Sequence, residues 1–280
     1  MRSLVTRFLP ALALLTALAS PALAQEDRNE TYPIVYAQRP ITLQPNQFMV
    51  DLNFDYLQLG GDGGDNPIFA DVALEYGVMK NLTVGTLPVT LGLSPKAEVN
   101  RASAFGRYRF LYGAHFPLEL AAELQVTFPF GDTANFGLNP GLRARYFINN
   151  AARLDIGAFL LVEFLKSQND PGNRGTAIGF ELPVDLSISL ARQIFLTIDT
   201  GFIYPDFDVS VFNVPLGIKL GYTLPRNEEM PFLDIYATFS FPGFLSSHEE
   251  LDLSDGTTST TTDVTTDIWQ LGIGATFHAF

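Results

Sequence analysis

The chain has 280 residues, 47% hydrophobic and 12% aromatic, and its 30 acids against 17 Lys and Arg give a formal net charge of −13. Such acidity is repelled by a nucleic-acid backbone, so no nucleic-acid partner is expected. No Cys and three His leave little material for a zinc site and none for a disulfide, and no cofactor is expected.

The first residues read "MRSLVTRFLPALALLTALASPALAQ". Arg2 and Arg7 supply a positive start, Phe8 to Ala19 a short apolar run, and Ala22-Leu23-Ala24 a small-residue cleavage site. This is the pattern of a secretory signal peptide over residues 1–24, since the apolar run is too short to span a bilayer. The mature chain is then expected to begin at Gln25, exported and still more acidic. Residues 25–45 precede the first strand as a separate segment. No later apolar run reaches the ~18 residues of a membrane helix.

From residue 46 onward the period is two. "LELAAELQVTF" sets Leu118, Leu120, Ala122, Leu124, Val126 and Phe128 against Glu119, Ala121, Glu123, Gln125 and Thr127. "ARLDIGAFLLVEF" sets Leu154, Ile156, Ala158 and Leu160 against Arg153, Asp155, Gly157 and Glu163; "IGFELPVDLSISL" repeats the pattern. Such alternation predicts strands with one apolar and one polar face. Strands are expected to begin near Gln47, Pro67, Leu82, Ala102, Leu118, Leu138, Ala152, Thr176, Ile194, Ser210, Phe232 and Thr266.

The connections alternate in character. Short turns fall at "MKN", "YGAHFP", "NNA", "ARQ" and "PRNEEMP". Longer polar loops fall at "GGDGGDN", "SPKAEVN", "GDTANF", "KSQNDPGNRG" and "SSHEELDLSDGTTSTTTDVTTD"; "YPDFD" breaks the length rule. Aromatics gather at both strand ends: Tyr76, Tyr112, Tyr146, Tyr222 and Phe232 toward the turns, and Tyr56, Phe128, Phe130, Phe164, Phe241 and Trp269 toward the loops. A continuous apolar face needs a second sheet or lipid to cover it. A water-soluble sandwich seldom uses twelve strands of this length. The fold class expected is all-β: a transmembrane antiparallel up-and-down barrel of about twelve strands.

The leader, the lack of Cys, the dyad strands, the short turns against long loops and the terminal Phe280 together resemble the outer-membrane β-barrel proteins of Gram-negative bacteria, over residues 46–280. "RPITLQPNQFMVDLNFDY" is similar, over a shorter stretch, to the lead-in of hydrophobic-compound transport barrels. The resemblance implies a porin-like fold in the cell outer membrane, in contact with its lipid, with residues 25–45 periplasmic. It also implies that Phe280 belongs to the signal read by the barrel-assembly machinery. Phe280 is out of register with the apolar face Trp269, Leu271, Ile273, Ala275 and Phe277. Either a bulge shifts the end, or Phe277 faces lipid and Phe280 sits at the rim.

The inward face carries the charges. The fourth to seventh strands alternate in sign: Arg107 and Arg109, then Glu119 and Glu123, then Arg143 and Arg145, then Arg153, Asp155 and Glu163. Glu181, Asp185, Asp199 and Lys219 follow. Neighbours ~5 Å apart across strands pair when their charges are opposite. Two readings stay open: a structural ladder filling one side of the lumen, or a constriction with a transverse field. The remaining wall is small, with Gly77, Gly179, Gly201, Gly217, Gly221, Gly272 and Gly274, and leaves either a narrow passage or a plugged lumen.

An enzyme is not expected. His115, His248 and His278 have no nucleophile at a recognisable spacing, although some twelve-stranded barrels hydrolyse lipid. Asp62, Asp65 and Asn66 could offer oxygens to calcium, but a plain turn accounts for them. The expected function is a passive channel for small solutes with a weak preference for cations; the alternative is a closed structural barrel. Oligomeric state is not legible.

Overall fold

A computed structural model describes residues 32–60, 66–95, 98–113, 116–128, 136–166, 174–205, 211–251 and 258–280. The leader, Asp62, Asp65, His115 and Phe130 lie outside the described residues. In chain order the strands are β1 Phe48–Gln58, β2 Ile68–Met79, β3 Leu82–Thr86, β4 Val89–Ser94, β5 Glu98–Gly113, β6 Phe116–Phe128 and β7 Phe136–Asn149. Then follow β8 Ala152–Lys166, β9 Arg174–Ser189, β10 Ile194–Tyr204, β11 Asn213–Pro225, β12 Pro231–Leu251, β13 Thr258–Val264 and β14 Trp269–Ala279.

Every ladder is antiparallel, and each strand pairs with its neighbours in sequence except β3 with β4 and β13 with β14. β1 pairs with both β2 and β14, with Phe48 opposite Ala279 and Gln58 opposite Trp269, so the sheet closes. β3 and β4 are two halves of one stave between β2 and β5. They are split at Leu87–Pro88, where Pro88 offers no N–H to the ladder. β13 and β14 likewise share one stave beside β12. The result is the twelve-strand barrel expected from the sequence.

The alternation sorts lipid from lumen. On β6, Glu119, Ala121, Glu123, Gln125 and Thr127 are buried inside, whereas Leu124 and Phe128 are exposed. The outer surface carries Leu52, Phe54, Leu142, Ile156, Ile178, Ile218, Leu220, Leu271 and Ile273, the last 66% exposed. An apolar belt of this extent needs lipid around it. Exposed Tyr76, Tyr146, Tyr222 and Phe232 ring the turn end, with Phe128, Phe136 and Phe164 toward the loops.

β14 runs without a register shift to Ala279. Phe277 is exposed and meets Phe232 edge to face at 5.1 Å, while Phe280 sits past the strand with its ring 6.4 Å from Tyr32. No bulge shifts the end, so Phe280 is a rim residue.

The glycine wall is not open space. A Cβ at Gly221 would strike the Phe195 ring, at Gly274 the Tyr236 ring, and at Gly141 or Gly157 the Phe159 ring. Phe159 and Phe195 are each 1% exposed inside the barrel. Phe195 and Tyr236 fill the room beside Gly221 and Gly274, and Asp199 and Asp55 fill it beside Gly217 and Gly272.

Candidate functional site

The lumen contains the chain's own N-terminal segment. Residues 32–47 contain only a single 3-10 turn, Tyr36–Gln38, and no strand. Tyr32, Ile34, Ala37, Arg39, Ile41, Thr42, Leu43 and Gln47 are all buried. Residues 25–45 were expected as a periplasmic segment before the barrel; their described part, from Tyr32, packs against the inner wall at its turn end. The segment is too apolar for a solvated tail, and its three prolines, Pro33, Pro40 and Pro45, suit an extended, non-helical path.

Buried backbone must find partners, and here the barrel wall supplies them. The carbonyl of Tyr36 accepts from Arg153 Nη1, that of Arg39 from Arg145 Nη1 at 2.7 Å, and that of Ile41 from Arg107 Nη1 at 3.1 Å. The amide of Ala37 donates to Ser189 at 3.1 Å, that of Ile41 to Glu119 at 2.7 Å, and that of Leu43 to Thr83 at 2.8 Å. Tyr36 stacks on Phe195 at 4.0 Å. The plug then returns to the wall through Asn46, at φ 65°, whose N–H donates to the Gly77 carbonyl at 2.8 Å. Asn tolerates that left-handed conformation better than most residues. Any side chain at Gly77 would strike the Gln44 carbonyl, so the close approach requires glycine there.

Arg39 is the plug's main anchor. It grips Asp234 on β12 with Nη1 at 2.5 Å and Nη2 at 2.9 Å, both side chains being 3% exposed. Asp234 also accepts from Thr223 at 2.6 Å and pairs with His278 Nε2 at 2.8 Å. Burial works against the Arg39 charge, but Asp234 outweighs it and raises the guanidinium above its ordinary pKa. His278 is thus a wall residue held by Asp234; no hydroxyl bonds its ring among the described residues.

Two carboxylates organise the ladder. Glu123 receives Arg107 Nε at 2.6 Å and Arg143 Nε at 2.7 Å. Asp155 receives Arg145 at 2.6 Å and Arg153 at 3.0 Å. Arg109 pairs with Glu119 at 2.7 Å and also bonds Asn81. Arg107, Arg145 and Arg153 therefore serve both carboxylates on the wall and main chain on the plug. The acids stop these cations repelling one another, and the plug takes some of the remaining donors.

Among the described residues, two chambers border the plug. The loop-side chamber has a volume of about 430 Å³ and is lined by Asn53, Asp55, Asp155, Asp185, Asp199, Thr238, Ser240 and Gln270 among others. The turn-side chamber, about 320 Å³, is lined by Tyr32, Arg39, Asp51, Glu75, Asp234 and His278 among others. Both are lined by Tyr36, Ile41, Arg107, Arg143, Arg145, Arg153 and Lys219, so every charged residue common to the two is basic.

Of the residues singled out from sequence, Arg107, Arg143, Arg145, Arg153, Asp155, Asp185, Asp199 and Lys219 line a chamber. Arg109, Glu119 and Glu123 are buried in the wall against the plug and its anchors, and line neither chamber. Glu163 is exposed and Glu181 half-buried; neither lines a chamber. Sequence reasoning missed Tyr36, Arg39 and Ile41. The available signal was "YPIVYAQRPITLQPNQ", aperiodic yet rich in apolar and aromatic residues.

No protein-family model matches the sequence, and no curated protein matches it. Solved structures match in fold. The NanC porin is similar with a TM-score of 0.57 at 8% identity, covering 81% of this chain and 98% of that one. The COG4313 outer membrane channel from Pseudomonas putida F1 is similar with a TM-score of 0.55 at 8% identity, covering 91% of this chain and 100% of that one. What these proteins share with this chain at such identity is architecture: a closed antiparallel barrel of the outer-membrane porin type.

Proposed function

We propose that this protein is a passive, non-catalytic channel for small polar solutes in the outer membrane of a Gram-negative cell, conducting through a lumen narrowed by its own residues 32–47. One observation carries the reading: chambers of about 430 and 320 Å³ lie against the plug and share seven lining residues. A solute passing between them moves over polar side chains rather than through a packed core. The porin-type architecture supports the same reading, as does the apolar belt for a lipid setting.

The charge balance favours weak cation preference. Asp51, Asp55, Asp71, Asp185 and Asp199 face inward without an ion pair among the described residues. Lys219 lies over the Tyr236 ring at 4.5 Å and has no carboxylate in ion-pair reach among those residues. The acids of both chambers concentrate cations, and the basic junction moderates the effect. The second reading, a closed structural barrel, draws on the plug's many anchors. Planar-bilayer recording in a salt gradient separates the two. Small steps with a weakly cationic reversal potential support the channel; silence at every voltage supports the closed barrel.

A further inference from the structure

We infer that the loop-side chamber binds amphoteric solutes of amino-acid or dipeptide size, their carboxylate on Arg143 and Arg107 and their ammonium on Asp185 and Asp199. This rests on the reading of the lumen as a solute path and adds the class of solute.

The basic half has donors to spare. Arg143 spends Nε and Nη2 on Glu123, and its Nη1 has no acceptor among the described residues. Its side chain is 27% exposed, against 13% for Arg107 and Arg145 and 6% for Arg153. Arg107 spends Nε on Glu123 and Nη1 on the plug, which leaves Nη2. A guanidinium with a free edge in a chamber is a carboxylate receptor.

Two carboxylates of the acidic half, Asp185 and Asp199, have no ion-pair partner among the described residues. Asp155, Asp185 and Asp199 stand in register on β8, β9 and β10. Only Asp155 is clamped by arginines. Asp199 leans over Gly217, where no side chain pushes it back. Two strand spacings, ~10 Å along the wall, separate Arg143 on β7 from Asp185 on β9, and five, ~24 Å, separate Arg107 on β5 from Asp199 on β10, yet all four line one chamber. Side chains on a closed wall converge as they reach inward, so charges from both halves face one small volume. A lone anion meets the carboxylates, and a lone cation meets the basic junction. A molecule carrying both charges satisfies both halves.

The test is calorimetric binding to the folded barrel in detergent micelles, which does not depend on conduction. The probes are alanylalanine, N-acetyl-alanylalanine and alanylalanine amide, which share a backbone and carry both charges, the negative charge or the positive charge. Alanylalanine should bind about tenfold tighter than either other probe, the scale of one charge-assisted hydrogen bond. Asp185→Asn with Asp199→Asn should bring the N-acetyl probe level with alanylalanine. Arg143→Gln should weaken both carboxylate probes and spare the amide. Heat-modifiable gel migration checks that each variant is folded, and if Arg143→Gln does not fold the aspartate pair decides. Equal binding of all three probes, or none, overturns the site. Discrimination in a barrel that never conducts would sink the channel reading and leave the site standing; conduction without discrimination would do the reverse.

Discussion

Arg39 and Asp234 stand 195 positions apart in sequence and close a bidentate ion pair inside the barrel. One belongs to the plug and the other to β12, so the pair ties the plug to the wall. Breaking a buried pair from one side leaves an uncompensated charge and costs about 3–5 kcal/mol. Arg39→Ala should therefore loosen the plug without dissolving the barrel, whose strands hold one another. Conductance steps should grow and become noisier, while heat-modifiable migration persists. Unchanged steps would show that the plug is held elsewhere.

The plug can also be locked. The Leu43 amide donates to Thr83 at 2.8 Å, both residues are buried, and the chain has no Cys of its own. Leu43→Cys with Thr83→Cys, once oxidised, should return an Arg39→Ala barrel to small, quiet steps. Adding reductant should reverse this in the same membrane. An oxidised double variant as noisy as Arg39→Ala would place the fluctuation outside the plug.

The glycines opposite aromatic rings should resist substitution. Gly221 lies against the tip of the Phe195 ring, which also stacks on Tyr36 of the plug and so has little room to retreat. Gly221→Val should overfill the wall and cost about 1–3 kcal/mol. Gly106, with nothing within 4 Å of an added Cβ, should accept Ala with little change. The unfolding temperature in detergent measures both; equal losses would remove the packing argument.

Charge selectivity should follow the partners of Glu123. Arg143→Ala takes one of its two guanidiniums and leaves Arg107. The lumen becomes more negative, so the reversal potential in a salt gradient should move further toward cations. A shift toward anions would contradict the charge reading.

Deleting Phe280 should lower the yield of folded barrel more than shortening the chain between residues 252 and 257, if the rim aromatic serves assembly. The ratio of heat-modifiable to unfolded protein in membranes measures it; equal yields would remove Phe280 from that role.

The barrel is legible in "LELAAELQVTF" because lipid and lumen impose opposite demands on alternate residues, and such a demand writes a period into the sequence. The plug is not legible in that way. Its bonds run from main chain to Arg107, Arg145 and Arg153, and a backbone carbonyl leaves no mark in the residue that carries it. The arginines themselves were visible, but not their second partners. The split at Leu87–Pro88 sits in "TLPVT", where the outward face passes from an even position, Val84, to an odd one, Leu93, across a proline that cannot join the ladder. The glycine wall misled for a related reason: the sequence names the small residue but not the Phe195 or Tyr236 ring that a neighbouring strand lays over it.

The most direct test of the account is the single-channel conductance of the native chain beside one lacking residues 33–43, both recorded as folded barrels in planar bilayers. The account predicts small native steps and steps several-fold larger without the plug, since the two chambers then merge into one polar lumen. Equal steps in the two proteins would contradict it.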